Sequence, residues 1–276
     1  MDKTNVGDRP FSVLMCVYEG DNDIYFEEAL KSITQDQELK PSQVVLVVDG
    51  PISSGKEIII SKFTNIENIA FDVIKLQSNV GQGVALNKGL PLCRYNYVAR
   101  MDSDDVSLSN RFKVQINYVY ENPSVDVLSS YVEEFNSDGL KSLRKLPLNS
   151  SDISNYSKTR SPVNHGACVF KRDKVLSVGG YNTYVQVQDY LLFVNMIRAG
   201  CIIRNTDDIL LKVRMPGGYG KKAGWLYFKE EVSLAADFYH MGHIGVIGLF
   251  RNILIRAIPR LFSQKIINYI YKHLLR

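Results

Sequence analysis

Three carboxylates crowd the stretch YVARMDSDDVS, residues 97–107, where Asp102, Asp104 and Asp105 follow the end of an apolar run. Like charges this close repel one another. Two arrangements would relieve them. One is a divalent metal site: Mg2+ and Mn2+ prefer hard oxygen ligands and often use one or two carboxylates together with substrate phosphates. Asp102 and Asp104 alternate around Ser103, so in extended chain they point the same way. The other is capping, with Asp104 or Asp105 at the N-terminus of a helix beginning near Leu108. Asp-x-Asp alone is a weak signal, and its place at a strand end strengthens it. In NVGQGVALNKGL, residues 79–90, Gly81 and Gly83 suggest a dinucleotide fingerprint. That reading is weaker, because the segment follows the third strand and lacks the third glycine.

The elements that must position these residues are legible in the first half. FSVLMCVY (11–18), SQVVLVVDG (42–50), AFDVIKLQ (70–77) and YNYVARMDSDD (95–105) read as buried strands. Between them, 24–35 places Phe26, Ala29, Leu30 and Ile33 at helical spacing, GKEIIISKFTN is a helix candidate, and 81–93 opens on glycines and continues as a helix. This alternation predicts an α/β fold with a Rossmann-like, mostly parallel sheet and helices on both faces. Ligands of such sheets bind beyond the carboxyl ends of the strands, where Glu19, Asp49 and Asp102 fall. Strands around a turn are expected over 124–139. A strand, a short helix and a glycine turn are expected over 165–181. A helix is expected over 187–200 with Asp189 near its start, then two strands over 201–215. MPGGYGKKAG (215–224) is a glycine-rich loop, and the text from Trp225 is helical until Pro259 breaks it.

With 276 residues and 45% hydrophobic content, the chain can bury a sizeable core. Its polar start lacks the form of a secretory signal, and no run of about 18 apolar residues suggests a spanning helix. Cys16, Cys93, Cys168 and Cys201 are scattered, as reduced thiols are. Charge is unevenly placed. Six Lys/Arg and no Asp/Glu lie from Arg251 to the end, leaving 27 basic against 29 acidic residues before it. Lys265, Lys272 and Arg276 share one helical stripe, with Ile267, Ile270, Tyr271 and Leu274 roughly opposite. Such a helix suits an anionic bilayer surface; packing on the body is the other reading. No nucleic-acid partner is expected.

Four stretches together resemble family 2 glycosyltransferases of the GT-A fold: FSVLMCVYEGD, VVLVVDGP, NVGQGVALNKGL with Asn79, Gly81, Ala85, Asn87 and Gly89, and VARMDSDD with Arg100 ahead of the cluster. The resemblance spans about residues 10–215. It implies a catalytic domain over 1–224, with a nucleotide half at about 10–107 and an acceptor half at about 108–224, and a helical basic region over 225–276. It implies a UDP-sugar donor with Mn2+ or Mg2+ on its diphosphate. Val17, Tyr18 and Glu19 would flank the nucleoside, and Asp49 would accept from the uracil. Gly81, Asn87 and Ser103 join the nucleotide-sugar site. Asp102 would lie near ribose and metal, and Asp104 would ligate the metal. Arg100 would hold Asp105 or the sugar.

The family also places a Glu-Asp pair at a helix start, its aspartate being the base. Here the pair is Gln188-Asp189, so the base candidate Asp189 is in place and Gln188 departs from the pattern. Asp189 acting only as a helix cap is the other reading. His165 is similar to an acceptor-side segment of the family, though a lone histidine is more often structural. Arg214 and Lys221, with Lys222, border or occupy the glycine-rich loop, and cations there would close over a diphosphate unless the loop is merely solvated. The reading expected is an inverting hexosyltransferase moving glucose or galactose to a lipid-diphosphate-linked saccharide. It would work at the cytoplasmic face of a bacterial membrane, in O-antigen or capsule synthesis. The alternatives are a sugar nucleotidyltransferase, which would carry a basic glycine-rich loop where YEGDND stands, and a non-enzymatic binding module.

Overall fold

The computed structural model describes residues 9–136, 139, 141–215 and 224–262. Its first half follows the periodicity. Strands β1 (Ser12–Val17), β2 (Gln43–Val48), β3 (Ala70–Lys75) and β4 (Tyr97–Met101) alternate with helices α1 (Asp23–Thr34), α2 (Ser54–Phe63) and α3 (Gln82–Gly89). The strands are parallel in the order β3-β2-β1-β4. β1 and β2 are buried throughout, which is why they read as unbroken apolar runs. Val13, Met15 and Val17 share a core with Phe26, Leu30 and Ile33 of α1. Leu14 and Cys16 face the opposite core, with Leu86 of α3. Asn22 caps α1, its Oδ1 accepting from the N–H of Ile24 at 3.0 Å and Tyr25 at 3.2 Å. Burial pushes the thiols of Cys16, Cys93 and Cys168 up to about 12, so they stay un-ionised.

The remaining strands extend the same sheet. β8 (Val169–Lys171) pairs antiparallel with β4, and β6 (Val127–Phe135) antiparallel with β8. β9 (Ile203–Arg214) runs parallel to β6, and the two-residue β5 (Val106–Ser107) closes the order antiparallel to β9. β7 (Lys141–Arg144) flanks β6. Helices α4 (Arg111–Glu121), α5 (Ser150–Tyr156), α6 (Arg172–Ser177) and α7 (Gln188–Arg198) complete this half.

Three expectations change here. The text over 201–215 forms one twelve-residue strand, not two: Tyr131 pairs Ile209 and Ser130 pairs Thr206. The exposed Asp207–Asp208 pair is absorbed as a bulge, so the polar break does not end the strand. The text over 124–139 holds one strand, β6, whose hairpin partner β7 lies beyond it. The helix expected near Leu108 begins at Arg111 with Asn110 in the cap position. Neither Asp104 nor Asp105 caps it.

The described part of the C-terminal region is helical: α8 (Trp225–His240) and α9 (Val246–Asn252), then a π turn over Ile253–Ala257 and a 3-10 turn over Ile258–Leu261 that contains Pro259. Leu234, Phe238 and Ile244 pack against Val187, Tyr190 and Val194 of α7, so this region is joined to the body through a third apolar cluster. Among the described residues no helix is long and apolar enough to cross a membrane. The helix expected over 264–276 lies outside the described residues.

Candidate active site

The acidic cluster stands where β4 ends. Arg100, fully buried on that strand, reaches Asp102 Oδ1 with Nη2 at 2.6 Å. Gln82, first residue of α3, donates to the same oxygen at 3.0 Å. Burial pushes the Asp102 carboxyl up, but Arg100 outweighs it, with help from His165 and Gln82, and holds it below the usual range. Its neighbours lack such partners. Burial, with Asp102 and Asp21 adding like charge, pushes Asp104 up to about 6. Burial beside Asp102 and Asp104 raises Asp105 well above the usual carboxylate range. Asp105 is buried and accepts the Arg214 N–H at 2.9 Å, which pins β9 to the cluster. Arg100 therefore pairs with Asp102 and not with Asp105, one of the two partners the resemblance implied for it.

Asp102 and Asp104 offer hard oxygen donors. Among the described residues no three His, Cys, Asp or Glu side chains form a complete cage. The donor set fits a cation that takes one or two carboxylates and completes its shell with phosphate oxygens.

On the nucleotide side, the turn after β1 is held from several directions. Lys56, its side chain buried, donates to the Glu19 carbonyl at 3.0 Å and to Asp23 Oδ1 at 2.7 Å. Glu19 accepts the Ser53 N–H at 2.7 Å. Tyr18 is half exposed, whereas the Val17 side chain lies in the core. Both Asp49 oxygens accept backbone N–H groups, from Val80 at 2.8 Å and Gly81 at 3.0 Å, and each keeps a second lone pair. Gly81 has φ of +88° and opens α3. Ser103 donates to Asp21 Oδ2 at 2.8 Å, and that oxygen also accepts the Tyr18 N–H at 3.1 Å. Asn87 stands apart. Its amide exchanges two hydrogen bonds with the Tyr181 backbone, at 2.6 and 2.9 Å, and straps α3 to the 180–181 turn.

Asp189 is the second residue of α7, with Val187 in the cap position. It borders a small pocket of about 140 Å³ that Asp102, Asp105 and His165 also line. It borders a cavity of about 850 Å³ on the other side. Gln188 donates to Gln82 Oε1 at 2.9 Å, so an amide chain runs Gln188–Gln82–Asp102. His165 shares a 2.8 Å hydrogen bond with the Tyr181 hydroxyl. Burial, reinforced by Arg100, lowers the imidazole to about 3, so it is neutral.

Arg214 is held away from the role first expected of it. Its guanidinium lies over the rings of Tyr25 at 3.9 Å and Phe135 at 4.6 Å, and it pairs with Glu28. It fastens β9 to α1. Lys221 and Lys222 lie outside the described residues.

Sequence reasoning missed three participants. Asp21, in YEGDND, joins the cluster through Ser103, and its carboxyl is pushed up by burial. Gln82 has no signal beyond its place after the glycine turn. Glu230, buried on α8, accepts the N–H groups of Val185 at 2.9 Å and Gln186 at 2.7 Å, the segment leading into Gln188–Asp189.

Comparison with known proteins identifies the family and the fold. The model of "Glycosyl transferase family 2" matches residues 12–179. The amylovoran biosynthesis glycosyltransferase AmsE of Erwinia amylovora is 35% identical over 95% of this chain and 98% of its own length. The UDP-Gal:alpha-D-GlcNAc-diphosphoundecaprenol beta-1,3-galactosyltransferase of Escherichia coli is 34% identical over 96% of both chains. Among solved structures, S. aureus TarS 1-349 in complex with UDP-GlcNAc superposes with a TM-score of 0.67 at 18% identity, covering 96% of this chain and 76% of that one. The mannosyltransferase PcManGT from Pyrobaculum calidifontis, in complex with GDP-Man and Mn2+, gives 0.61 at 17%, covering 95% and 69%. These likenesses show the fold, which is the GT-A arrangement. The chain belongs to glycosyl transferase family 2.

Proposed function

We propose that this glycosyltransferase moves one hexose, galactose or glucose, from a UDP-sugar to a saccharide carried on a lipid diphosphate, with inversion, during assembly of a bacterial surface polysaccharide. The observation that carries the reading is the position of Asp189. It stands on the wall shared by the pocket of the acidic cluster and the larger cavity. A hydroxyl entering from the cavity meets a carboxylate before it meets the donor. Asp189 takes the hydroxyl proton as the oxygen bonds the anomeric carbon. The bond from that carbon to UDP breaks on the opposite face, and inversion follows, by analogy with single-displacement glycoside chemistry. Asp102 and Asp104 would hold a Mn2+ or Mg2+ ion, which when bound neutralises charge developing on the diphosphate. Arg100 and Gln82 fix the Asp102 carboxylate, and Asp49 presents free lone pairs at the nucleoside end.

The chain would work on the cytoplasmic face of the membrane. Ile247, Phe250 and Leu254 are largely exposed on the C-terminal helix, beside Arg251, and no acidic residue follows them. An apolar stripe edged with cations suits an anionic bilayer. The test is UDP release measured with Mn2+, a panel of UDP-sugars and a GlcNAc-diphosphate-lipid acceptor. One donor should be consumed, and Asp189→Asn should abolish transfer, by a thousandfold or about that, with UDP affinity retained. Full turnover in Asp189→Asn would refute the assignment.

A further inference from the structure

The 850 Å³ cavity beyond Asp189 is large enough for a small glycolipid head, and its walls are basic. Six Lys/Arg line it against three Asp/Glu. Two of these cations are already committed to a shared carboxylate. Arg256 and Arg260 both reach the buried Glu231, at 2.8 and 3.0 Å, and lie over the rings of Tyr190 and Tyr227. They build the wall. Arg251 has only a 3.3 Å hydrogen bond to the Lys158 carbonyl. Arg144, Lys145 and Arg160 make no side-chain hydrogen bond or ion pair among the described residues. Four cations thus converge from the end of β7, the segment after α5, and the end of α9 on one cavity, none of them in an ion pair with a carboxylate among the described residues.

Arg144, Glu134 and Asp189 border both the cavity and the pocket of the acidic cluster, so the two spaces share a wall. Ile255 also lines the cavity while still half exposed, and the stripe of Ile247, Phe250 and Leu254 adjoins it at helical spacing.

We propose that this cavity is an acceptor site in which Arg144, Lys145, Arg160 and Arg251 hold the diphosphate joining saccharide to lipid. The sugar lies toward Asp189, and the alkyl chain leaves past Ile255. The proposal rests on the transfer reading above and deepens it. A diphosphodiester carries two negative phosphoryl groups, which several uncommitted cations suit better than the single carboxylate of an acidic sugar. The donor's own diphosphate has the same chemistry, so the test must separate the two sources.

Decyl diphosphate is titrated into the full chain with Mn2+, with and without saturating UDP, by calorimetry. The wild type should bind it in both cases. Arg160→Gln and Lys145→Gln should each weaken binding by about tenfold, with UDP affinity and Tm unchanged. Arg251→Gln serves if either variant fails to fold. Loss of binding when UDP is added would place the probe in the donor site and overturn the proposal. So would equal affinity in wild type and variants, or no binding by wild type. These outcomes are read without sugar transfer. An enzyme that consumes no UDP-sugar yet binds the probe through these cations would sink the transfer reading alone.

Discussion

Gln188 departs from the Glu-Asp pair that the resemblance implies, and its surroundings suit an amide. Its amide donates to Gln82, whose own amide then donates to Asp102. A carboxylate at 188 would face the Gln82 oxygen. Gln82 would have to turn over and present that oxygen to Asp102. Gln188→Glu should therefore destabilise the fold by about 1–3 kcal/mol, the range for an unsatisfied buried group, and lower kcat. Thermal melts and UDP-release kinetics check this; an unchanged melt with full activity would remove the amide chain from the explanation. Arg100 offers a harsher case. It is wholly buried and its partner carboxylate is largely so. Arg100→Met should lower stability by about 3 kcal/mol or more, read as a Tm fall of roughly 6–12 °C.

Helix α8 acts on Asp189 through the segment that precedes it. Glu230 holds the backbone of Val185 and Gln186, and so sets where α7 begins and where Asp189 projects. Glu230→Ala should reduce kcat between about tenfold and a hundredfold, the scale of a misplaced catalytic group, with donor KM little changed. A fall in donor affinity alone would contradict this. The next residue, Glu231, ties α8 to the C-terminal turns. Burial pushes its carboxyl up, but Arg256 and Arg260 outweigh this and hold it below the ordinary 4.5. Its charge thus stabilises the folded state above that value. The contribution is lost as pH falls from about 4.5 through the depressed folded value. Denaturant midpoints should drop over that window, with a shallower acid slope in Glu231→Gln. In the core that α3 shares with β1 and β2, Gly89 lets α3 approach closely: a Cβ would stand 2.6 Å from Val47 Cγ2 and 2.8 Å from Leu14 Cδ1. Gly89→Ala should destabilise by about 1–3 kcal/mol through overpacking.

At the scale of the molecule, the C-terminal layer faces two ways. Inward, Arg256 and Arg260 pair with Glu231; outward, Ile247, Phe250 and Leu254 are exposed. Deleting everything from Arg251 would strand a buried carboxylate, so membrane binding is better tested by substitution. Replacing the three apolar residues with serine should weaken binding to anionic vesicles, read by co-sedimentation, by about a thousandfold or more, given roughly 1.5 kcal/mol or more per buried side chain. UDP affinity should not change. Undiminished sedimentation would assign the membrane contact elsewhere.

By itself the sequence determined the parallel half of the sheet, because β1, β2 and most of β4 are buried on both faces and α1 on one, while the half-buried β3 still reads as an apolar run. Such periodicity survives any tertiary context. It also placed Asp102, Asp104 and Asp105 at a strand end, and the likeness to the family carried Asp189. Tertiary structure decided the pairings. Arg100 meets Asp102 rather than Asp105, Asn87 straps Tyr181, and Arg214 is clasped by Tyr25 and Phe135. It also decided that β9 is one strand, since pairing with β6 on both sides of Asp207–Asp208 carries the chain through a polar break. Apart from Arg100 and Asp102, near neighbours in the chain, these outcomes depend on residues about 80 to 190 positions apart meeting in space, and spacing along the chain carries no record of such contacts. The cavity of uncommitted cations belongs to the same class. Arg144, Arg160 and Arg251 come from three separate elements, and only the packing of α8 and α9 on α7 turns them into one surface.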